Sequence, residues 1–333
     1  MTHPIAVTSP PTTPAGSATL LSAEAPPITA HAANLRLAIG LFVWVAVYVG
    51  LTLLTRVIPN DTLGVVPVMV GDLPLLPLAS AVALVGTTLG LIHAGVDCQW
   101  PRGWLVAVAV ACVLVDNLVH TLFNPAPGFD PRTIILFGFG NVALIGASLF
   151  IGKLVAQWVE QPTWIIPICL VAFAVDIWSA FFGPTREVAE AVVRDASTAE
   201  AAQRFMIWYP NLRPPGAEEL VVKPSFGIGD FIFVALLFQL AALHGLRRSA
   251  SFWAIFFATL LSMIAAARFS ESGLPALPFI VAGFLLVNVG RVTGRPREIA
   301  ACVIFITVLL LTLIFVVNPT IEALLPAETT EVP

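Results

Sequence analysis

Charge is what this chain has least of. Only 11% of its 333 residues are Asp, Glu, Lys or Arg, and 58% are hydrophobic, whereas a soluble domain carries about 25% charged residues. That composition excludes an ordinary water-soluble globular protein. The 16 basic residues, set against 20 acidic ones, form no cluster that could follow a phosphate backbone, so nucleic acid is not an expected partner. Cysteine is scarce too. Cys98, Cys112, Cys169 and Cys302 lie in or beside apolar runs, at no metal-ligand or disulfide spacing, and read as apolar filler. No metal or organic cofactor is expected. A basic segment leading into a short apolar one is also missing near residue 1, so no cleaved signal peptide is expected.

What the chain does have is apolar residues in long runs. Nine of them approach the ~20 residues needed to cross a bilayer core. They are Leu37–Val57, Pro74–Gly95, Gly103–Phe123, Thr133–Lys153, Trp164–Phe182, Phe226–Leu246, Ser251–Phe269, Pro275–Val292 and Ile299–Val317. The runs are continuous rather than alternating, which specifies helices and not barrel strands. The expected fold class is all-α, a polytopic membrane helix bundle of about nine transmembrane helices embedded in a lipid bilayer. Residues 1–33, rich in Pro, Thr, Ser and Ala, read as a disordered tail. Residues 34–160 hold four helices, and residues 161–292 form a second transmembrane part. Residues 293–318 add one more helix, and 319–333 form an acidic tail. Basic residues divide eight against eight between the two membrane faces, so the positive-inside rule does not orient the chain.

One connection is long. Pro184–Pro224 holds 11 of the 36 charged residues. Within it, Arg186 to Phe205 has the spacing of a surface helix. Tyr209-Pro210-Asn211 and Pro214-Pro215-Gly216 read as turns. Leu220-Val221-Val222-Lys223 favours a strand and is stopped by Pro224. A connection of this length is expected to be a mobile gate.

Two acids interrupt the runs on either side of it. Asp176 lies in the fifth run and Asp230 in the sixth. A carboxylate inside a membrane costs about 2.5–3.5 kcal/mol on insertion scales, so two of them on neighbouring helices require a role. Asp176 precedes Gly183-Pro184 by seven residues, and Asp230 follows Pro224 by six. At about 1.5 Å per residue, both fall about 10 Å below the same membrane face. The eighth run opens at that face with Pro275-Ala276-Leu277-Pro278, whose two prolines remove two backbone donors. Irregular backbone at membrane depth persists only where protein or a water-filled cavity surrounds it. On residue chemistry alone, the acids could be a peptide-hydrolysing pair, the proton or cation site of a secondary transporter, or part of a non-catalytic scaffold. Pro275 could simply start a helix.

Three marks, in order along the chain, resemble the presenilin and signal peptide peptidase family of intramembrane aspartyl proteases. They are Asp176 within an apolar helix, the Gly-x-Gly-Asp sequence at Gly227, Gly229 and Asp230, and the Pro-Ala-Leu sequence at Pro275, Ala276 and Leu277. Gly229-Asp230-Phe231-Ile232-Phe233, Leu274-Pro275-Ala276-Leu277-Pro278 and Gly183-Pro184-Thr185-Arg186 look closer to presenilins. Alone, each short motif occurs by chance in about one chain in ten of this length. Their order, membrane placement and convergence give the combination its weight. The resemblance spans roughly Trp164 to Val292. It implies an endopeptidase in which Asp176 and Asp230 share a proton and cleave transmembrane segments of other proteins. It further implies that Gly227 and Gly229 admit backbone close to Asp230. Pro275, Ala276 and Leu277 would shape the floor under an extended substrate, and Leu220, Val221 and Val222 would pair with it as a strand. The chain departs from the family pattern at Val175, where the family has Tyr. It also has four rather than five helices before the first aspartate, about two extra residues before the Gly motif, and a helix after the Pro-Ala-Leu motif. These departures leave any accessory subunits unspecified.

Other polar residues are read locally. Asp116 and His120 are four apart on one helix face and suit polar glue between helices, a proton relay or a metal pair. His93 with Asp97 reads as interfacial. His244, Asn141 and Asn288 read as structural. Trp44, Trp104, Trp158, Trp164 and Trp253 lie near run ends, as an aromatic belt requires.

Overall fold

The computed structural model describes residues 29–57, 69–70, 73–123, 131–182, 204–210, 222–269, 275–292, 296–317 and 319. Long apolar runs satisfy their backbone groups as helices. In chain order these are α1 (Ala30–Val57), α2 (Leu75–Gly95), α3 (Arg102–Phe123), α4 (Pro131–Ala156), α5 (Ile165–Phe182), α6 (Ile228–Leu243), α7 (Arg248–Phe269), α8 (Leu277–Val287) and α9 (Pro296–Thr312). A π-turn over Leu313–Val317 extends α9. Among the described residues, five segments are long and apolar enough to cross a membrane: Ala30–Leu54, Arg102–Thr121, Ile135–Ala156, Pro162–Phe181 and Arg248–Ala266. Four further apolar helical segments are shorter: Ala79–Gly95, Ile228–Leu243, Leu277–Val287 and Val303–Val317. The expected tail of residues 1–33 loses its last residues to α1, which begins at Ala30. Residues 1–28 lie outside the described residues.

The helices are not all as long as their apolar runs. The run Phe226–Leu246 yields a helix only from Ile228, because Gly227 stays extended at φ −71°, ψ 147°. At its far end Gly245, at φ 61°, turns the chain out of the helix. The run Pro275–Val292 becomes helical only over Leu277–Val287, and Gly290 at φ 83° follows.

Helix α4 packs between α3 and α6, α1 packs on α2, and α8 packs on both α7 and α5. The α4–α6 contact depends on Gly152. A Cβ there would lie 2.6 Å from the Ala235 Cβ and 2.7 Å from the Ile232 carbonyl, so only glycine lets the backbones approach this closely. Near one end of the bundle, the Lys153 ammonium is buried and donates to the carbonyls of Gly95, Val96 and Cys98. It thereby supplements the last carbonyl of α2, which also accepts the Cys98 N–H, and satisfies two carbonyls of the turn that follows. Burial pushes the neighbouring Cys98 thiol up, which leaves it unreactive as filler. Asp97 accepts from Arg248 at 2.7 Å and pairs with Arg36 at 3.6 Å, tying α1 and α7 to the α2–α3 connection.

Two small hairpins accompany the helices. β1 (Met69–Val70) pairs with β2 (Leu73–Pro74), and β3 (Met206–Pro210) pairs antiparallel with β4 (Val222–Gly227). The second hairpin corrects two expectations. Tyr209 and Pro210 belong to a strand rather than a turn. The Pro184–Pro224 connection is also not a mobile gate along its whole length, since Ile207, Trp208 and Tyr209 are buried in the core. Aromatic and β-branched side chains gain more from that half-buried pleated surface than from a solvated turn. The expected surface helix at Arg186 to Phe205 lies largely outside the described residues. Trp44 is a third correction. It is 1% exposed, and its ring N–H donates to the Thr88 hydroxyl at 2.9 Å, so it is a core residue and not part of a belt. Trp104, Trp158, Trp164 and Trp253 are exposed.

Candidate active site

Asp230 follows directly from the strand-to-helix junction. β4 runs through Gly227, and α6 starts one residue later, which places Asp230 in the first helical turn. Its carboxylate accepts the backbone N–H of Gly227, the residue that caps the helix. An acid three residues into a helix that reaches back to the capping N–H satisfies one of the donors every helix start leaves unpaired. The depth estimate is corrected here. The approach to Asp230 is extended chain, which advances about 3.3 Å per residue rather than 1.5 Å.

Asp176 reaches a different helix start. It lies within α5, six residues before its end at Phe182. Its Oδ2 accepts the backbone N–H of Leu277 at 2.9 Å. Leu277 opens α8, Ala276 caps it, and a proline occupies its first turn. That proline has no N–H, so the first turn has fewer donors than usual and Asp176 takes one of them. A carboxylate at a helix N-terminus gains about 0.3–1 kcal/mol from the aligned peptide dipoles, more where it is partly buried. The Asp176 carboxylate also acts electrostatically on Asp230. Both are partly accessible.

The structure thus brings Asp176, Asp230, Gly227 and Leu277 together. Pro275 is buried beside them in sequence, and Ala276 is half-buried. Gly229 is exposed, and a Cβ built on it meets nothing within 4 Å. A Cβ on Gly227 comes no closer than 3.8 Å to Asp230 Oδ2. Neither glycine has a positive φ, so neither is needed for the chain's own conformation. Val222 is the first residue of β4 and pairs with Pro210. Leu220 and Val221 lie outside the described residues.

The hairpin that leads to Asp230 is held from behind, by residues whose roles sequence reasoning left as unspecified structure. Asn141 on α4 donates its amide to the Trp208 carbonyl at 2.6 Å and accepts the Trp208 N–H at 2.8 Å. Its side chain therefore mimics a neighbouring strand. Leaving those two buried backbone groups unpaired would cost about 1–3 kcal/mol each. Phe137 packs on Trp208 with ring centroids 4.6 Å apart. The Tyr209 hydroxyl shares a 2.9 Å hydrogen bond with Thr88 on α2, and Thr88 in turn accepts from Trp44 on α1. Burial pushes the Tyr209 phenol up, outweighing the Thr88 hydrogen bond, so it stays neutral. An Asn in the middle of an apolar run was the signal available, since such a residue must find a partner inside the protein.

No protein family, curated protein or solved structure matches this chain. The reading of its function therefore stands on its own residues.

The remaining polar positions lie elsewhere. The Asp116 and His120 side chains are 3.8 Å apart on α3, and Arg204 acts on Asp116 electrostatically. His244 shares a hydrogen bond with the Val159 carbonyl. Asn288 donates to Ser251 and Phe284 and accepts from the Arg247 backbone. His93 packs edge-on to Phe238. Among the described residues, no group of three or more His, Cys, Asp or Glu could hold a metal ion.

Proposed function

We propose that this chain is a multi-pass intramembrane aspartyl endopeptidase, resembling presenilins and signal peptide peptidases, that hydrolyses peptide bonds in transmembrane segments of other membrane proteins. The observation that carries the reading is the Asp176–Leu277 hydrogen bond. It joins the first aspartate to the Pro-Ala-Leu sequence, and Asp176 in turn acts electrostatically on the Gly-x-Gly-Asp carboxylate. In the proposed reaction, one carboxyl keeps its proton and donates a hydrogen bond to the scissile carbonyl. The other, ionised, takes a proton from water as the water oxygen attacks the carbonyl carbon. The tetrahedral intermediate then breaks its C–N bond, and the proton moves to the leaving amine. The proton belongs to the pair, so neither aspartate has a fixed label. Gly227 and Gly229 leave room for extended substrate beside Asp230, and the outer edge of β4 offers it a strand to pair with. The apolar helical segments among the described residues support a bilayer setting for this chemistry, with the shorter ones proposed to act as spans beside the five long ones.

The test is direct. Purified chain in lipid nanodiscs is incubated with a synthetic transmembrane peptide, and products are read by mass spectrometry. Cleavage by the wild-type chain that is lost in both Asp176→Asn and Asp230→Asn supports the proposal. Absence of cleavage, or cleavage that survives either substitution, removes it.

A further inference from the structure

We infer that Asn141 is a positioning residue. By fixing β3 from helix α4, it holds the β3–β4 hairpin, and with it the backbone entering Asp230, in place before substrate arrives. This inference rests on the protease reading above and assigns that site its scaffold.

The geometry has three parts. First, a strand has two edges. One edge of β3 is paired with β4 along its whole length, and on the other the N–H and C=O of Trp208 are both taken by the Asn141 amide. An incoming extended segment therefore finds β3 closed at Trp208, whereas among the described residues no strand pairs with the outer edge of β4. Second, the anchor is independent of the hairpin's own pairing. Asn141 lies 67 positions from Trp208, and Thr88 holds Tyr209 across 121 positions. α4 and α2 thus fix two consecutive residues of one strand. Third, β4 runs directly into the helix that carries Asp230, with one bulge at Ser225, where the pairing steps from Trp208–Pro224 to Ile207–Phe226. Gly227 ends it, caps α6 and donates its N–H to Asp230. A shift of β3 therefore becomes a shift of Asp230.

The consequence is energetic. A hairpin that must order itself around each substrate loses binding free energy to that ordering, and a hairpin already fixed does not. Pro224 adds selectivity. It sits opposite Trp208 in the pairing and has no N–H to offer, so the open edge of β4 lacks one donor there. The segment that fits is an extended apolar peptide tolerant of that missing bond.

The test compares wild-type chain with Asn141→Leu and Tyr209→Phe in nanodiscs. It combines steady-state cleavage of a synthetic transmembrane peptide with amide hydrogen exchange over Met206–Pro210 and Val222–Gly227. Asn141→Leu is expected to raise exchange in both strands at least tenfold. It should lower kcat/KM at least tenfold, chiefly through KM, while α6 and α7 keep their protection. Tyr209→Phe is expected to show the same pattern at about threefold. If Asn141→Leu does not fold, Tyr209→Phe decides by the same two readouts. A folded variant with unchanged exchange in both strands overturns the inference, as does kcat/KM within twofold of wild type. Wild-type chain that cleaves nothing overturns the protease reading, and this inference with it. Active wild type with insensitive variants overturns this inference alone.

Discussion

Asp176 Oδ2 accepts the Leu277 backbone N–H at 2.9 Å, joining positions 101 apart in the chain. One carboxylate thus takes an N–H at the start of α8 and also acts electrostatically on Asp230. An Asn at 176 keeps an oxygen that can accept the same N–H. Asp176→Asn is therefore expected to leave the melting temperature within a few degrees of wild type while proteolysis falls at least a hundredfold. Asp230→Asn is expected to behave alike, since its amide oxygen can still accept from Gly227. Calorimetry beside the peptide assay checks both, and a large loss of stability would show that the charge itself holds the fold.

The dependence on pH should be bell-shaped. At the acid extreme both carboxyls are protonated, and no base remains to take the water proton. At the alkaline extreme both are ionised, and no acid remains to polarise the carbonyl. Activity is therefore lost in both directions, and the two limbs belong to the pair. A profile of log(kcat/KM) against pH that stays flat from acid to neutral would contradict a shared proton.

Gly152 and Gly229 separate packing from catalysis. Gly152→Ala puts a Cβ 2.6 Å from that of Ala235, so α4 and α6 must move apart at a cost of about 1–3 kcal/mol. Gly229→Ala meets no atom of the protein within 4 Å, and alanine is the better helix former. Its stability should match or exceed wild type. Its activity should fall several-fold if substrate backbone passes there. Thermal unfolding and kcat/KM, measured on the same two variants, test the contrast.

Val222→Pro removes an amide from the start of β4, where Val222 pairs with Pro210. Proline cannot donate to a strand ladder, so cleavage should slow at least tenfold with little change in the helices. Hydrogen exchange over Val222–Gly227 should also slow when a non-cleavable substrate analogue binds. Unchanged exchange on binding would remove strand addition from the proposed mechanism.

Removing the ammonium that closes α2 should destabilise the bundle. Lys153→Met leaves the Val96 and Cys98 carbonyls without their Lys153 donor and leaves Gly95 only the Cys98 N–H, an expected loss of about 2–4 kcal/mol. Chemical or thermal unfolding measures it.

Much of this architecture was legible in the sequence because a continuous apolar run has few other ways to satisfy its backbone than a helix. The convergence of Asp176 with Leu277 was legible too, since α5 ends and α8 begins on one side. The hairpin was not. Met206-Ile207-Trp208-Tyr209 is a β-favouring aromatic cluster, but it is short and flanked by turn formers, so Pro210 drew the reading toward a turn. Its strand character is settled by partners far away in the chain, Asn141 and Thr88. A local reading also carried the sixth helix back to Phe226, where pairing with Ile207 keeps the chain extended. Trp44 lies near a run end like the exposed tryptophans. Only the Thr88 hydroxyl, in a different helix, distinguishes it.

Asp230 reaches back to the start of α6, and Asp176 reaches across to the start of α8. The placement of the pair is thus inherited from where two helices begin, and the side-chain conformations follow. Distant chains with the same arrangement need not preserve the letters around either acid. Their kinship would show as two helix beginnings meeting inside a bundle, each answered by a carboxylate.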